Sequence, residues 1–260
     1  MSRNVLITGS SHGIGAACAV AFAKEGCNIG INFNKDQEGA EKTARLVREQ
    51  GVEAEIFQAD VSRRADCEKM LADFLARFGT IDVLVNNAGG ALKIPAGEFA
   101  DLPLDYWDSQ IALNLSAAAY CAQPAIRNMI DNHIQGKIIN ISSIHSQVTW
   151  VRRKLLPYSA GKAGLNMFTK SLGVEVAKYG INVNCIAPGF VMTKLSDRYS
   201  EKDLIAFQRK IPAGFLGQVD DITPLVLFLA DHSKSRYIVG QTFFVDGGQS
   251  IDGVIDSMLQ

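Results

Sequence analysis

Residues 4–15 read Asn4-Val5-Leu6-Ile7-Thr8-Gly9-Ser10-Ser11-His12-Gly13-Ile14-Gly15, and this stretch indicates the architecture of the whole chain. A short apolar run leads directly into a glycine-rich turn, and a helical pattern begins at Ile14. In this order, strand, turn and helix let backbone N–H groups approach a pyrophosphate at the N-terminus of the helix. The stretch therefore predicts the first βα unit of a sheet that binds a dinucleotide.

Short β-branched runs alternate with longer helical patterns along the rest of the chain, which is typical of repeated βαβ units. The predicted strands are residues 4–8, 28–33, 53–58, 81–86, 137–142, 182–187 and 242–245. The predicted helices are residues 14–25, 37–50, 64–78, 105–130, 158–178 and 220–229. Right-handed crossovers place such helices on both faces of a sheet. We therefore expect an α/β fold with a doubly wound parallel sheet of about seven strands, a Rossmann fold.

No linker, repeat or shift in composition divides the chain, so we expect a single domain over residues 1–260. Two long irregular stretches, residues 143–157 and 189–212, each follow the carboxyl end of a predicted strand. Open α/β sheets bind ligands at that edge. We therefore expect both stretches to be loops that shape a substrate pocket.

The composition argues against several classes of partner. The 260 residues carry a net charge of −1 and are 47% hydrophobic, and the charges of both signs are interspersed. Nucleic-acid and membrane partners are not expected, because both require a basic stripe or a polybasic segment. No apolar run reaches the length of a membrane span or a signal peptide, so we expect a cytoplasmic protein.

Cysteines and histidines give no pattern of metal ligands. The five cysteines are scattered without a C-x-x-C pair, which favours buried free thiols over a metal or redox site. They are Cys18, Cys27, Cys67, Cys121 and Cys185. The four histidines also lack ligand spacing, so no metal site is predicted. They are His12, His133, His145 and His232.

Tyr158 and Lys162 form the strongest catalytic pattern. They lie four residues apart at the start of a predicted helix, so both side chains project from one face. A free tyrosine has a pKa near 10, and a nearby ammonium group favours the phenolate. The pair therefore predicts a tyrosine that exchanges a proton with the substrate, assisted by a lysine.

Three motifs in one order identify a family resemblance. Residues 8–15 fit T-G-x-x-x-G-x-G, Asn86-Asn87-Ala88-Gly89 follows the fourth predicted strand, and Tyr158-x-x-x-Lys162 follows the fifth. Together they resemble the short-chain dehydrogenase/reductase family over essentially the whole chain. The resemblance implies an NAD(P)-dependent oxidoreductase that transfers a hydride between nicotinamide and a carbonyl or secondary alcohol.

Two further catalytic residues follow from the resemblance. Ser143, the second of two serines at the end of the fifth strand, matches the family pattern and would hydrogen-bond the substrate oxygen. Alternation along the strand sends the hydroxyl of Ser142 to the opposite side. Asn114 matches the helix asparagine that holds a water beside the lysine. The predicted catalytic residues are thus Ser143, Tyr158, Lys162 and Asn114.

The resemblance also implies a set of cofactor-binding residues. In the glycine turn these are Gly9, Ser11, His12, Gly13, Ile14 and Gly15. Asp60 and Val61 are expected against the adenine, and Asn86, Ala88 and Gly89 beside the adenosine ribose. Pro188, Gly189, Val191 and Thr193 are expected over the nicotinamide, and Tyr158 and Lys162 near its ribose hydroxyls.

Cofactor choice depends on the end of the second strand. NAD-binding chains place an acidic residue there to accept hydrogen bonds from the ribose. This segment reads Ile31-Asn32-Phe33-Asn34-Lys35, with no acid until Asp36. Asn34, Lys35 and His12 could donate to a 2′-phosphate instead. The sequence therefore favours NADP(H), with NAD(H) as the alternative and a solvated surface role for Lys35 as the competing interpretation.

The predicted substrate loop, residues 143–157, favours a hydroxylated substrate. His145 and Gln147 would suit a hydroxylated substrate, and Ser143, His145 and Tyr158 are the predicted substrate-binding residues. Ser-Ile-His after the catalytic strand, residues 211–217 and Asp246-Gly247-Gly248 resemble bacterial glucose 1-dehydrogenases, which favours a sugar or polyol. Trp150 lies in the same loop.

Two alternatives stay open. The motifs are nearly the same in 3-oxoacyl-carrier-protein reductases, whose acidic partner protein would attract Arg152, Arg153 and Lys154, although such a run is also typical of a solvated loop. A catalytically idle binding or regulatory protein is the remote alternative, which the presence of both Tyr158 and Lys162 disfavours.

By resemblance the protein is a homotetramer built from the helices that begin near Asp105 and Tyr158 and from the C-terminal strand region. Small residues in the second helix would permit close helix approach, either between subunits or within one. They are Ala160, Gly161, Ala163 and Gly164.

Overall fold

The computed structural model describes residues 2–91, 98–149 and 155–251 and contains one seven-stranded sheet in the order β3-β2-β1-β4-β5-β6-β7. The strands are β1 Asn4–Ile7, β2 Asn28–Phe33, β3 Ala54–Gln58, β4 Val83–Asn86, β5 Lys137–Ile141, β6 Asn182–Pro188 and β7 Thr242–Val245. Every neighbouring pair is parallel. The predicted doubly wound parallel sheet is therefore confirmed.

Helices connect the strands. They are α1 Gly13–Lys24, α2 Gln37–Arg48, α3 Arg64–Phe78, α4 Leu104–Ile111, α5 Ala117–Asp131, α6 Leu156–Val176, α7 Glu201–Gln208, α8 Thr223–Ala230 and α9 His232–Ser235. A five-residue π-helical segment, Ala112–Ser116, joins α4 to α5, so the predicted continuous helix over residues 105–130 contains one change of helical pitch.

The prediction that residues 189–212 form an irregular loop is wrong for α7. Ser200 caps this helix, because its hydroxyl accepts from the Asp203 N–H at 3.2 Å and the Asp203 carboxylate accepts from the Ser200 N–H at 3.0 Å. This capping box satisfies N–H groups that the first turn leaves free. The pattern Ser-x-x-Asp was therefore the signal that could have predicted the helix.

The core consists of two apolar layers, one on each face of the sheet. One layer holds Phe22 of α1 with residues of α2 and α8, and the other holds Phe74 of α3 with residues of α5 and α6. Both phenylalanine side chains are fully buried. The strands supply apolar side chains to both layers, as a parallel sheet covered on two faces requires. The five cysteines are buried and free, as predicted.

Strand order reverses between β1 and β4, which places β2 and β5 on opposite sides of this pair. A crevice opens at such a switch point beyond the carboxyl ends of the strands. The turn after β1, the segment after β4 and the serines after β5 therefore meet at one edge of the sheet. Within the described part of the chain, no helix combines the length and apolar character that a membrane crossing needs.

Candidate active site

A cleft of about 650 Å³ runs along the carboxyl edge of the sheet. It brings together most of the predicted site residues. Those that line it are Gly9, Ser11, His12, Gly13, Ile14, Asn34, Lys35, Ala88, Gly89, Ser143, His145, Tyr158, Lys162, Pro188, Gly189, Val191 and Thr193. The cleft thus extends from the end of β2, past the glycine turn, to the serines after β5.

The glycine turn is shaped to receive a phosphate group. Gly9 and Gly13 have φ of 61° and 60°, which favours glycine because a Cβ is strained there. A Cβ on Gly9 would also lie 2.9 Å from the Ala88 Cα atom. At Gly13 the nearest obstruction is a Thr193 methyl group at 3.4 Å, so the turn faces the cleft. The residues present therefore fit a pyrophosphate at the start of α1.

Five predicted residues lie outside this cleft. Val61, Asn86 and Asn114 line a small adjoining cavity together with Thr8 and Ala88. Gly15 is buried beneath the turn, where a Cβ would lie 2.5 Å from the Asn87 Nδ2 atom. The Asp60 carboxylate accepts from the Ser62 N–H and hydroxyl at 3.0 and 2.7 Å. The adenine contacts predicted for Asp60 and Val61 stay predictions.

Asp36 lines the cleft beside Asn34 and Lys35, at the end that is predicted to receive the adenosine. Its Oδ1 atom accepts from the Gly39 N–H at 3.1 Å and so caps α2. The carboxylate is one-third exposed. The sequence predicted no acidic group at the end of the second strand before Asp36, and the fold brings Asp36 into the cleft because α2 begins at Gln37, shortly after the strand.

The three principal catalytic candidates meet at the other end of the cleft. Tyr158 is hydrogen-bonded to the Ser143 hydroxyl. The Lys162 Nζ atom lies 5.9 Å from the centre of the Tyr158 ring and donates to the Ile141 carbonyl at 2.8 Å. The spacing on α6 places tyrosine and lysine on one face, and β5 carries the serine to them.

Burial shifts the pKa values of Tyr158 and Lys162. It raises the pKa of Tyr158, against the opposing effect of the hydrogen bond with Ser143. It also lowers the pKa of Lys162 to about 8, because a buried ammonium loses its hydration. The expectation that Lys162 would bring the pKa of Tyr158 down is not met by the protein alone, since burial of the phenol outweighs other effects.

Asn114 is held by the π-helical segment with its amide against the loop after β4. Its Nδ2 atom donates to the Gly90 carbonyl at 3.2 Å and to the Gln110 carbonyl at 3.0 Å, and its Oδ1 atom accepts from the Gly90 N–H at 2.9 Å. A Cβ on Gly89 would lie 2.9 Å from the Lys162 Nζ atom and 3.0 Å from the Asn114 Oδ1 atom. Asn114 and Lys162 therefore flank the same glycine.

Gly161 and Gly164 serve close packing within the subunit. A Cβ on Gly161 would lie 3.1 Å from the Asn114 Cβ atom, and one on Gly164 would lie 2.9 Å from a Leu115 methyl group. The π-helical segment therefore rests on the small residues of α6. The sequence left open whether the small residues of this helix pack between subunits or within one, and Gly161 and Gly164 pack within one.

The end of the cleft that holds Tyr158, which is predicted to receive the substrate, has a largely apolar wall. Besides His145 it is lined by residues that the sequence reasoning did not identify, namely Ile144, Leu155, Phe190 and Tyr199. The His145 ring meets the Tyr158 ring at 6.1 Å in an edge-on arrangement, and its Nδ1 atom lies 3.2 Å from the Val148 carbonyl. Gln147 does not line the cleft. Trp150, Arg152, Arg153 and Lys154 lie outside the described residues.

The segment after β6 crosses the cleft. Gly189 donates its N–H to the Val245 carbonyl at 3.0 Å, Phe190 donates to the Gln249 side chain at 3.0 Å, and Met192 donates to the Gly217 carbonyl at 2.8 Å. Phe190 packs against Tyr199 and Phe207 with ring centres 5.7 and 4.8 Å apart. An aromatic residue directly after Pro188-Gly189 was the signal for this contact.

Comparisons with known proteins agree with this geometry. The family model described as enoyl-(acyl carrier protein) reductase matches residues 9–250. The chain is 36% identical over 251 residues to 3beta-hydroxysteroid dehydrogenase 1 of Eggerthella lenta, covering 96% of this chain and 94% of that protein. It is 34% identical over 252 residues to glucose 1-dehydrogenase 2 of Bacillus subtilis, covering 96% and 95%.

Among solved structures, acetoin dehydrogenase YohF from Salmonella typhimurium superposes with a TM-score of 0.88 at 33% identity, covering 98% of both chains. The family match and the relatives each span nearly the whole sequence, and they confirm the resemblance indicated by the three motifs. The chain belongs to the short-chain dehydrogenase/reductase family and is an NAD(P)-dependent oxidoreductase that acts on an alcohol or carbonyl group.

Proposed function

We propose that Tyr158 exchanges the proton on the substrate oxygen while Ser143 and Lys162 hold the reacting groups in place. The observation that carries the proposal is the meeting of these three side chains at one end of a cleft that extends past the glycine turn to the end of β2. When bound, nicotinamide supplies or accepts the hydride. Tyr158 donates the proton in reduction and accepts it in oxidation.

Each neighbour of Tyr158 has a separate task in this mechanism. The Ser143 hydroxyl donates a hydrogen bond to the substrate oxygen and polarises a carbonyl in reduction. With the cofactor bound, the Lys162 ammonium would favour the phenolate against the effect of burial and would hold the ribose hydroxyls beside nicotinamide. Asn114 would hold the water that passes the proton from Lys162 toward solvent, a role supported by its position across Gly89 from the lysine.

We propose NADP(H) as the preferred cofactor and NAD(H) as the weaker one. Asn34, Lys35 and His12 line the adenosine end of the cleft, and each can donate to a 2′-phosphate. Asp36 opposes this preference by its charge, and its cap to α2 occupies one of its two oxygens. The remaining residues expected to bind the cofactor keep the roles given by the family resemblance.

For the substrate we propose a sugar or polyol. This class is supported by the likeness to glucose 1-dehydrogenase 2 of Bacillus subtilis and by the position of His145 beside Tyr158. A secondary alcohol on an apolar skeleton is the second candidate, because Ile144, Leu155, Phe190 and Tyr199 give the wall few polar groups. A 3-oxoacyl thioester is the third candidate. The basic residues expected to attract its acidic carrier protein, Arg152, Arg153 and Lys154, lie outside the described residues.

A panel of assays tests both proposals. Sugars, polyols, acetoin, a 3-hydroxysteroid and a 3-oxoacyl thioester are each combined with NADP(H) and NAD(H), and absorbance is followed at about 340 nm, where reduced nicotinamide absorbs. We expect turnover of a sugar or polyol with NADP. Turnover of the steroid or acetoin alone would instead establish the second candidate.

Tyr158→Phe tests the mechanism whichever substrate is found. We expect kcat to fall by about a thousandfold, because the general acid–base group is lost, while the cofactor dissociation constant stays unchanged. Unchanged turnover in this variant would contradict the role of Tyr158, whereas a wild type without turnover in the whole panel would reopen the hypothesis of an idle binding protein.

A further inference from the structure

Lys194 reaches from the segment after β6 to the adenosine end of the cleft. It lies in the 3₁₀ turn Lys194–Arg198, and its Nζ atom is 3.9 Å from the Asp36 Oδ2 atom. The Lys194 side chain is 70% exposed and that of Asp36 is 33% exposed. An exposed pair of this kind contributes little to stability. Its interest lies in where it places a positive charge.

The partner of Lys194 is a cleft residue. Asp36 lines the cleft beside Asn34 and Lys35, and its Oδ1 atom is committed to the Gly39 N–H at 3.1 Å. The other oxygen, Oδ2, faces Lys194. An unpaired carboxylate at this position would repel a phosphate group by like charge. The ammonium of Lys194 partly offsets the charge of that carboxylate and places a second lysine next to the end of the cleft that holds Lys35.

Backbone and side-chain contacts fix the segment from which Lys194 extends. Met192 donates its N–H to the Gly217 carbonyl at 2.8 Å, and Thr193 donates its N–H to the Ser196 hydroxyl at 3.0 Å. A Thr193 methyl group lies 3.4 Å from the place of a Cβ on Gly13. The segment therefore crosses the cleft over the glycine turn, and Lys194 extends from it toward the end of β2.

We infer that Lys194 is a specificity-determining residue for the 2′-phosphate of NADP, and that it exchanges its contact with Asp36 for that phosphate on binding. The inference rests on the proposed NADP preference. The phosphate group carries a charge of about −1.5 to −2, more than the carboxylate, and attracts the ammonium more strongly. Lys194 thereby joins Asn34 and Lys35 of the segment after β2 and His12 of the glycine turn, so that three segments surround one ligand group.

Two small probes isolate the 2′-phosphate in the purified full-length chain. Adenosine 2′,5′-bisphosphate carries the group and adenosine 5′-monophosphate lacks it, and calorimetry gives the dissociation constant of each. The proteins are wild type, Lys194→Met, Asp36→Asn and the control Lys202→Met, which removes an exposed lysine from α7. Asn is a good N-cap, so Asp36→Asn removes the charge and keeps the helix start.

We expect Lys194→Met to raise the dissociation constant of the bisphosphate by roughly five- to tenfold, since one charge-assisted contact is lost. The dissociation constant of the monophosphate should rise by less than about twofold. Asp36→Asn is expected to strengthen the bisphosphate by about two- to threefold, because a like charge is removed. Lys202→Met should match wild type for both probes.

Two results would overturn the inference. One is an equal effect of Lys194→Met on both probes, or no effect. The other is weaker binding of the bisphosphate by Asp36→Asn, which would show that the ion pair stabilises the cleft and does not compete with the phosphate. Failure of the NADP proposal is seen separately, in wild type alone, as equal affinity for the two probes. Even then, an unchanged bisphosphate affinity in Lys194→Met refutes the role of Lys194.

Discussion

The two serines that follow β5 differ in what their hydroxyls contact. The Ser142 hydroxyl donates to the Lys162 carbonyl at 3.3 Å, whereas Ser143 is hydrogen-bonded to Tyr158 and accepts from the His145 N–H at 3.2 Å. Strand alternation predicted this difference from sequence. Two neighbouring residues of the same type therefore offer a matched test of one role.

We expect Ser143→Ala to lower kcat by about a hundredfold, because a donor to the substrate oxygen is lost in a site shielded from water. Ser142→Ala is expected to keep most of the activity. Steady-state kinetics of both variants with one substrate supplies the measurement. Equal losses in the two variants would show that Ser143 has no special role at the substrate oxygen.

Lys162 gives a prediction about pH. Burial lowers its pKa to about 8, so the lysine is charged below that pH and loses its charge as pH rises through it. We expect kcat/KM for the cofactor in carbonyl reduction to decline above about pH 8, since this parameter reports the free enzyme. A profile from about pH 6 to 10 gives the measurement.

Lys162→Arg provides the comparison for that profile, because a guanidinium keeps its charge throughout this range. Its profile should lack the decline near pH 8, even if its activity is lower at every pH. A circular dichroism spectrum like that of wild type serves as the control for folding. The same decline in the arginine variant would assign the titration to another group.

The spacing of Tyr158 and Lys162 could be read from sequence, because four residues make one helical turn. The direction of the pKa shifts of these two side chains could not be predicted from sequence. Desolvation depends on which segments cover a side chain, and Lys162 is covered by the end of β5 and the loop after β4. That arrangement arises only when the strands are side by side.

Among the elements, α7 packs through an aromatic cluster against the end of the cleft that is predicted to receive the substrate. The cluster consists of Phe190, Tyr199 and Phe207, and Phe207 contacts the other two with ring centres 4.8 and 5.1 Å apart. Two of its members line the cleft. The cluster therefore links the position of α7 to the shape of the pocket.

We expect Phe207→Ala to raise KM for the substrate by roughly tenfold and to leave cofactor affinity unchanged, because two aromatic pairs that seat α7 are lost. Ile205→Ala is the matched control, since Ile205 lies on the same helix with 46% of its surface exposed. Steady-state kinetics and cofactor titration measure both effects. An unchanged KM in Phe207→Ala would remove α7 from the substrate pocket.

Secondary structure was predictable where the pattern was local and regular. The seven strands and most helices follow from apolar periodicity and glycine turns. The π-helical segment Ala112–Ser116 does not, because its extra residue per turn is stabilised by Asn114 bonding Gly90 and by the space over Gly161 and Gly164. Those contacts join segments that are distant in sequence.

At the scale of the whole molecule, we propose the homotetramer that the family resemblance implies. Its support here is an exposed apolar face on α6, where Met167 is 61% and Val174 is 77% exposed. The two residues are seven apart and so lie on one side of the helix. Exposed apolar residues gathered on one face are typical of an interface.

We expect Val174→Glu to break the assembly into smaller species, because a charge buried at an apolar interface is left unpaired. Light scattering coupled to size-exclusion chromatography gives the mass. Leu46→Glu on α2 is the control, as Leu46 is a 40% exposed apolar residue on another surface. A wild-type monomer, or an unchanged mass in Val174→Glu, would contradict this interface.

Short-range spacing was enough to predict the α/β fold, the glycine turn and the three catalytic candidates from sequence: a strand before a turn, a tyrosine one helical turn from a lysine, a serine at a strand end. The tertiary structure alone decided the burial that sets the pKa of Lys162, the apolar wall with Phe190 and Tyr199, and the contact of Lys194 with Asp36. These depend on segments far apart in the chain. Their side chains meet only when the crossovers bring the carboxyl ends of the strands to one edge.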